Sequence, residues 1–261
     1  MREFFLRPQS DKRQVQCTRE NTWGYYDKEL TKNKRDWKEI FDFGPAKGSM
    51  RAQWPTNAPD FRHLCERHFA ACERISFELL AAVSKNMGVS ERFLFRDFQP
   101  SHSSFMRLNF YPTCPNPDDT SRDHISAQGH LGINHHTDSG AITILTTNGT
   151  PGLEVYGRDQ WRPVPPLDDA LIVNIGDVVQ VWSNDRYRAP LHRVRANDSE
   201  ERMSIPFFFN PKHSCNYEPL PYDKADSPKY RAISWSEFRA KRADGDYADW
   251  GEEIQIDHYR I

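Results

Sequence analysis

The stretch Asn134-His135-His136-Thr137-Asp138-Ser139-Gly140, continued by Ala141-Ile142-Thr143-Ile144-Leu145, decides how this chain is read. His136 and Asp138 are two residues apart, so on extended backbone both side chains leave the same face. An imidazole nitrogen and a carboxylate oxygen then lie side by side, with room for one metal ion between them. His192, far along the chain in Pro190-Leu191-His192-Arg193-Val194, offers a third ligand. His135 neighbours a ligand but points to the opposite face, so it is read as structural.

The sequence around this motif has the pattern of many short strands. From Ser104 the hydrophobic period is two: Met106, Leu108 and Phe110 face one way, and Arg107, Asn109 and Tyr111 face the other. The run Pro112-Thr113-Cys114-Pro115-Asn116-Pro117 ends that strand, and Asp118–Gly129 is a polar loop. Further strands are expected at 141–147, 153–156, 161–164, 170–175, 178–182, 189–195 and 203–209. Turn signals separate them, such as Asn148-Gly149, Gly176-Asp177 and Asn184-Asp185. Short strands in succession without intervening helices predict a β-sandwich or jelly roll, which can carry His192 back beside His136 and Asp138. Two histidines and one carboxylate with open positions opposite them suit non-haem Fe(II). In the last strand Arg202 and Ser204 share a face, and a guanidinium beside a hydroxyl suits a carboxylate.

The 261 residues carry a net charge of -2 and a pI near 6.6, so no basic excess points to nucleic acid. Hydrophobic residues make up 37% and mean hydropathy is -0.82, yet 13% aromatic residues can still build a core. No run is long enough to span a bilayer, and no signal-peptide core is present. Five cysteines without a Cys-x-x-Cys pair suit a reducing cytoplasm. One domain is expected: residues 1–100 as a loop and helical flank, 101–215 as the core, 216–261 as a C-terminal extension.

Within the flank, residues 1–43 read as loops and short helices. Ser10 is placed as the cap of a helix through Arg13, and 36–41 as an aromatic-anchored turn. Residues 58–87 read as a long helix, with Pro59 in its first turn and Gly88 just past its end. Phe61, Cys65, His68, Cys72, Ile75, Leu79, Val83 and Met87 form its inward stripe. No carboxylate accompanies His68 and the two cysteines, so they are assigned to packing rather than to a metal. A second helix is expected at 234–241.

Taken together the motifs resemble the isopenicillin N synthase-like branch of the Fe(II)/2-oxoglutarate-dependent dioxygenases. Asn109-Phe110-Tyr111-Pro112-Thr113-Cys114-Pro115 is similar to that family's Asn-Tyr-Tyr-Pro-x-Cys-Pro element, and His136-Thr137-Asp138-Ser139-Gly140 to its His-Thr-Asp-x-Gly motif. Asn174-Ile175-Gly176-Asp177 with Gln180, then Ser183–Tyr187, His192-Arg193-Val194, and Arg202-Met203-Ser204 follow in the family's order. The tail from Asp246 to Ile256 resembles its C-terminal helix region. The resemblance implies a double-stranded β-helix, mainly β with flanking α-helices. It implies Fe(II) on His136, Asp138 and His192, and 2-oxoglutarate held at its far carboxylate by Arg202 and Ser204. Tyr111 and Asn109 line the same pocket, with Arg107 a weaker candidate. O2 is the oxidant and ascorbate an accessory reductant.

The expected product chemistry is hydroxylation, desaturation or ring closure on a small organic molecule, with release of succinate and CO2, by a cytoplasmic monomer. The N-terminal region, the 118–129 loop and the C-terminal segment are expected to shape the substrate pocket. The family usually carries a segment before the equivalent of Phe4-Phe5, and its absence here would leave a sheet edge uncovered. Two other readings stay open. One is an oxidase of the same branch in which Arg202 and Ser204 bind the substrate's own carboxylate; the other is a jelly-roll binding protein without turnover.

Overall fold

Alternating side chains and Gly/Asn/Asp turns between Phe105 and Phe209 fold into two facing antiparallel sheets. The computed structural model describes residues 1–46, 50–121, 125–220, 227–245 and 253–261. In chain order come helices α1 (Arg2–Phe5) and α2 (Gln9–Arg13), strand β1 (Gly24–Tyr26), the small hairpin β2 (Leu30–Thr31) and β3 (Lys34–Arg35), and β4 (Glu39–Phe43). The long helix α3 (Pro59–Asn86) is next. It is followed by β5 (Phe105–Tyr111), β6 (Leu131–His136), β7 (Ile142–Thr147), β8 (Leu153–Gly157), β9 (Gln160–Pro163) and β10 (Ile172–Ile175). A buried helical turn, α4 (Asp177–Trp182), leads to β11 (His192–Arg195) and β12 (Arg202–Phe209). The small pair β13 (Asn216–Tyr217) and β14 (Ile233–Ser234) and helix α5 (Trp235–Gly245) complete the set.

One sheet has the order β1-β4-β5-β12-β7-β10 and the other β6-β11-β8-β9. Together they form the expected jelly roll. The large sheet has two uses. Its outer face packs on α3, where Phe69 meets Phe207 edge-on at 4.9 Å. Its inner face carries Phe105, Arg107, Asn109 and Tyr111 from β5, and Arg202, Ser204, Pro206 and Phe208 from β12, into a cavity between the sheets. The inner row of β5 is therefore buried polar lining and not a solvent-facing side.

Helix α3 starts and stops as its sequence predicts: Ala58 caps it, Pro59 opens it, and Gly88 lies just past it at φ +74°. Its buried line runs through Phe61, Cys65, Cys72, Ser76, Leu80 and Ser84. The expected Ile75, Leu79 and Val83 flank that line, partly exposed. Ser76 and Ser84 are fully buried on this line, and Ser84 donates its hydroxyl to the Leu80 carbonyl at 2.8 Å.

Three expectations are corrected. Ser10 lies inside α2, whose cap position is Pro8, and caps nothing. The expected turn at 36–41 holds only for its first half: Glu39–Phe41 belong to β4, which pairs with β5, Phe41 opposite Leu108, and is buried on nearly every side, which erases the alternation that marks a strand. Residues 178–182 form helix α4 rather than a strand. All six of its residues are buried, Asp177 and Gln180 included, so a run this short shows no buried-to-exposed period to separate the two forms. Residues 246–252 of the expected C-terminal helix region lie outside the described residues. Among the described residues, no helix is long and apolar enough to cross a membrane.

Leu80 is fully buried where α3 meets the sheet. Leu80→Ala is expected to lower unfolding stability by about 2–5 kcal/mol, read from the urea midpoint at unchanged m-value.

Candidate active site

Antiparallel register builds the site pair by pair. His192 on β11 lies directly opposite His136 on β6, and the two imidazole centroids are 4.3 Å apart. Asp138 does not share the strand, because β6 ends at His136. It lies in the following turn, which is pinned by the Asp177 amide donating to the Asp138 carbonyl at 2.8 Å and the Gly176 amide to the Ala141 carbonyl at 2.9 Å. A Cβ on Gly176 would fall 2.3 Å from the Gly140 carbonyl oxygen, so only glycine permits this approach. The turn thus does what strand period was expected to do. Asp138 Oδ1 lies 3.7 Å from Nε2 of both His136 and His192.

Each ligand is oriented from behind. His136 Nδ1 donates to the Asn134 carbonyl at 2.8 Å and His192 Nδ1 to the Pro190 carbonyl at 3.0 Å. These bonds leave both Nε2 lone pairs facing inward. Asp138 Oδ2 accepts from Thr143 Oγ1 at 2.6 Å and from Asn174 Nδ2 at 2.8 Å, which leaves Oδ1 for an ion. Thr143 and Asn174 are themselves cross-strand partners on β7 and β10. Burial alone would raise the Asp138 carboxyl, but the two histidines and these two donors outweigh it and hold it low. Burial, aided by neighbouring His192, pushes His136 down to about 3, so it stays neutral as a ligand must. His135 turns away, its ring against Asn134 Oδ1 and the edge of Trp161.

Beside the three ligands lies a cavity of about 400 Å³. At one end β12 and β5 place Arg202 opposite Tyr111 and Ser204 opposite Asn109. The Ser204 hydroxyl accepts from Asn109 Nδ2 at 3.3 Å and lies 3.4 Å from the Tyr111 hydroxyl. Arg202 is only 2% exposed, stacks on the Tyr111 ring at 5.0 Å, and has no hydrogen-bond partner at Nε or Nη1. A buried, unpaired guanidinium is costly, and an anion accepted there would relieve it.

Arg107 is not available for that task. Its guanidinium grips Asp42 through two bonds of 2.8 Å and Glu29 at 2.7 Å. Lys38 joins the same buried network through Glu29 at 2.5 Å and Asp36 at 3.1 Å. Burial opposes ionisation of Glu29, but Arg107 and Lys38 outweigh it and bring Glu29 down to about 2. Burial raises Asp36 to about 6, which acts in the opposite sense on stability.

Several residues here escaped sequence reasoning. Asn174 and Thr143 are polar positions on the inner face of apolar strands, a signal that could have marked them. Glu29, Thr31 and Lys38 reach the cavity from the N-terminal region, and Arg239, Arg242 and Glu253 from the C-terminal one. The described part of the 118–129 loop does not line it.

The arrangement sets two histidines and one carboxylate around a position that could hold one ion, inside a jelly roll and open to a cavity that ends at the buried Arg202 and Ser204. Comparison with known proteins agrees. The sequence profile of the 2OG-Fe(II) oxygenase superfamily matches residues 102–211. Gibberellin 20 oxidase 2 of Oryza sativa subsp. indica is 33% identical over 245 residues, covering 90% of this chain and 60% of the rice protein. Jasmonate-induced oxygenase 4 of Arabidopsis thaliana is 31% identical over 248 residues, covering 92% of this chain and 67% of the relative. The crystal structure of JOX2 in complex with 2OG, Fe and JA superposes with a TM-score of 0.81 at 28% identity, covering 92% of this chain and 70% of JOX2. The chain belongs to the 2OG-Fe(II) oxygenase superfamily, whose members use Fe(II), 2-oxoglutarate and O2. It spans less than two thirds of the length of gibberellin 20 oxidase 2.

His136→Ala is expected to abolish stoichiometric Fe(II) binding, and Asn174→Ala to weaken it about 10–100-fold, both read by anaerobic equilibrium dialysis. The buried network has its own signature. The Glu29 carboxyl titrates lower in the fold than its ordinary value of 4.5, so the stability it contributes is present above that value. That contribution is lost as pH falls from about 4.5 through about 2. Urea unfolding across this window should show a steep loss in the parent and a flatter one in Glu29→Gln.

Proposed function

We propose that this chain is a non-haem Fe(II), 2-oxoglutarate-dependent oxygenase that oxidises a small organic substrate by hydroxylation, desaturation or ring closure. The observation that carries the reading is the buried Arg202, unpartnered at two of its nitrogens and a short reach along the same cavity from His136, Asp138 and His192. Bound there, Fe(II) with 2-oxoglutarate and O2 supplies an oxidant able to take hydrogen from carbon, with release of succinate and CO2.

The chain's own residues hold and orient. His136, Asp138 and His192 offer three ligand atoms on one side, so the opposite side stays open to the 2-oxo acid and to oxygen. Asn134, Pro190, Thr143 and Asn174 fix the tautomers and the free carboxylate oxygen. Arg202 and the Ser204 hydroxyl take the far carboxylate of 2-oxoglutarate, and Asn109 and Tyr111 fix that hydroxyl's direction. Ile133, Leu145, Leu153, Ile172 and Val194 wall the pocket with apolar surface, which excludes water and strengthens the charge pairing.

The 261 residues are read as one oxygenase domain, supported by a main core cluster that draws on residues from Phe4 to Tyr259. A cytoplasmic monomer is the working form, in keeping with five free cysteines. A second reading has a specific basis: Arg202 fits any carboxylate, including one on the substrate of a same-fold oxidase that needs no 2-oxoglutarate.

Anaerobic titration of the Fe(II)-loaded protein separates the two. The oxygenase reading expects saturable 2-oxoglutarate binding, weakened at least about 100-fold in Arg202→Leu, and Fe(II)-dependent succinate release in air. Fe(II) binding without any 2-oxoglutarate binding would favour the oxidase.

A further inference from the structure

The cavity has a second cation that the co-substrate does not need. Arg239, on α5, lines the cavity and stacks on the Phe105 ring, its guanidinium carbon 5.4 Å from the ring centre. It is half-buried, and among the described residues no carboxylate pairs with it. Apart from Arg202, the other cations lining the cavity are occupied: Lys38 and Arg107 by the Glu29 network, and Arg242 by Glu253 at 3.4 Å.

Its position is fixed relative to the metal ligands. Arg242 stands three residues further along α5, so it shares a helix face with Arg239 about 4.5 Å away along the axis. Arg242 donates to the carbonyl of Thr137, the residue between His136 and Asp138, at 3.0 Å. The helix face bearing Arg239 is thereby tied to the metal site. Arg202 and Tyr111 lie at one end of the inner β5 and β12 rows, and Phe105 and Phe208 at the other. Arg239 covers that second end. Phe105 and Phe208 stack at 4.7 Å and give it an aromatic floor, with Pro206 beside them.

We propose that Arg239 is a substrate-binding residue and that the substrate is an amphipathic organic anion, a carboxylate on an aromatic or alicyclic body. The anion pairs with Arg239, the body lies over Phe105 and Phe208, and the carbon to be oxidised extends toward His136 and Asp138. A half-buried guanidinium with no internal carboxylate is incompletely compensated, and an incoming carboxylate completes it as a charge-assisted pair. A neutral substrate would leave it unpaired. This inference rests on the oxygenase reading only in taking the cavity as the substrate's.

The test is a binding measurement on the full chain loaded with Fe(II) and 2-oxoglutarate without oxygen. The probes are 4-phenylbutyrate, cyclohexylacetate and naphthalene-2-carboxylate, each beside its methyl ester, followed by isothermal titration calorimetry. At least one acid is expected to bind about 10–100-fold more tightly than its ester. Arg239→Gln should erase that difference, and Arg239→Lys should retain part of it. Circular dichroism and thermal melting of each variant check that it is folded. Esters binding as well as acids, an undiminished preference in Arg239→Gln, or no acid binding at all would each overturn the proposal. Binding of 2-oxoglutarate to the parent, measured in the same cells, reports on the co-substrate assignment separately, since that depends on Arg202 and not on Arg239.

Discussion

Antiparallel register is the constraint on which this site depends. His136 faces His192, Thr143 faces Asn174, Tyr111 faces Arg202 and Asn109 faces Ser204, each as a direct cross-strand pair. Direct pairing brings Cβ atoms to about 4.5–5.5 Å, close enough for two side chains to act on one ligand. A slip of one residue in any of these strands would turn its members to the other face. The outer face of the large sheet guards against such a slip. On the outside of the large sheet Phe207 and Phe209 are buried completely, against Phe69 of α3 and against Phe98. Apolar packing outside therefore holds the polar chemistry inside in place.

Asp138 is the exception, since a turn rather than a strand delivers it. The turn has little freedom: Gly140 and Gly176 press against neighbouring atoms where a Cβ would collide. Amides from Gly176 and Asp177 bind its carbonyls. Those glycines are requirements of close packing, and their effect is to aim one carboxylate oxygen at two imidazoles.

The cavity's charges fall into two groups with different physical meaning. Glu29, Asp36 and Asp42 surround Lys38 and Arg107 in a buried network that leaves neither of these cations without a carboxylate. Arg202 and Arg239 stand apart at opposite ends of the inner row, without carboxylate partners among the described residues. Internal pairing marks the first group as architecture. The lack of it in the second is the physical basis of the recognition roles proposed for Arg202 and Arg239.

Much of the site was legible because its chemistry needs particular residue types at short spacing. Arg202-x-Ser204 and the inner row of β5 could be read from period two, and His136-x-Asp138 from ligand chemistry, although a turn and not strand period places Asp138. Helix α3 was legible from its Pro59 start and Gly88 stop. Strand β4 and helix α4 were not, because each is short and buried on nearly every side, polar Asp42 and Gln180 included, so no alternation of buried and exposed positions is left to read. The sequence by itself thus determined the fold class, and it put forward His136, Asp138 and His192 as candidate ligands and Arg202 with Ser204 as a candidate carboxylate pair. Only the tertiary structure decided that Arg107 is spent on Glu29 and Asp42, that Asn174 and Thr143 aim Asp138, and that Arg239 reaches the cavity. Those outcomes depend on contacts between residues dozens to more than a hundred positions apart, or on which way a turn closes, and local patterning carries no record of either.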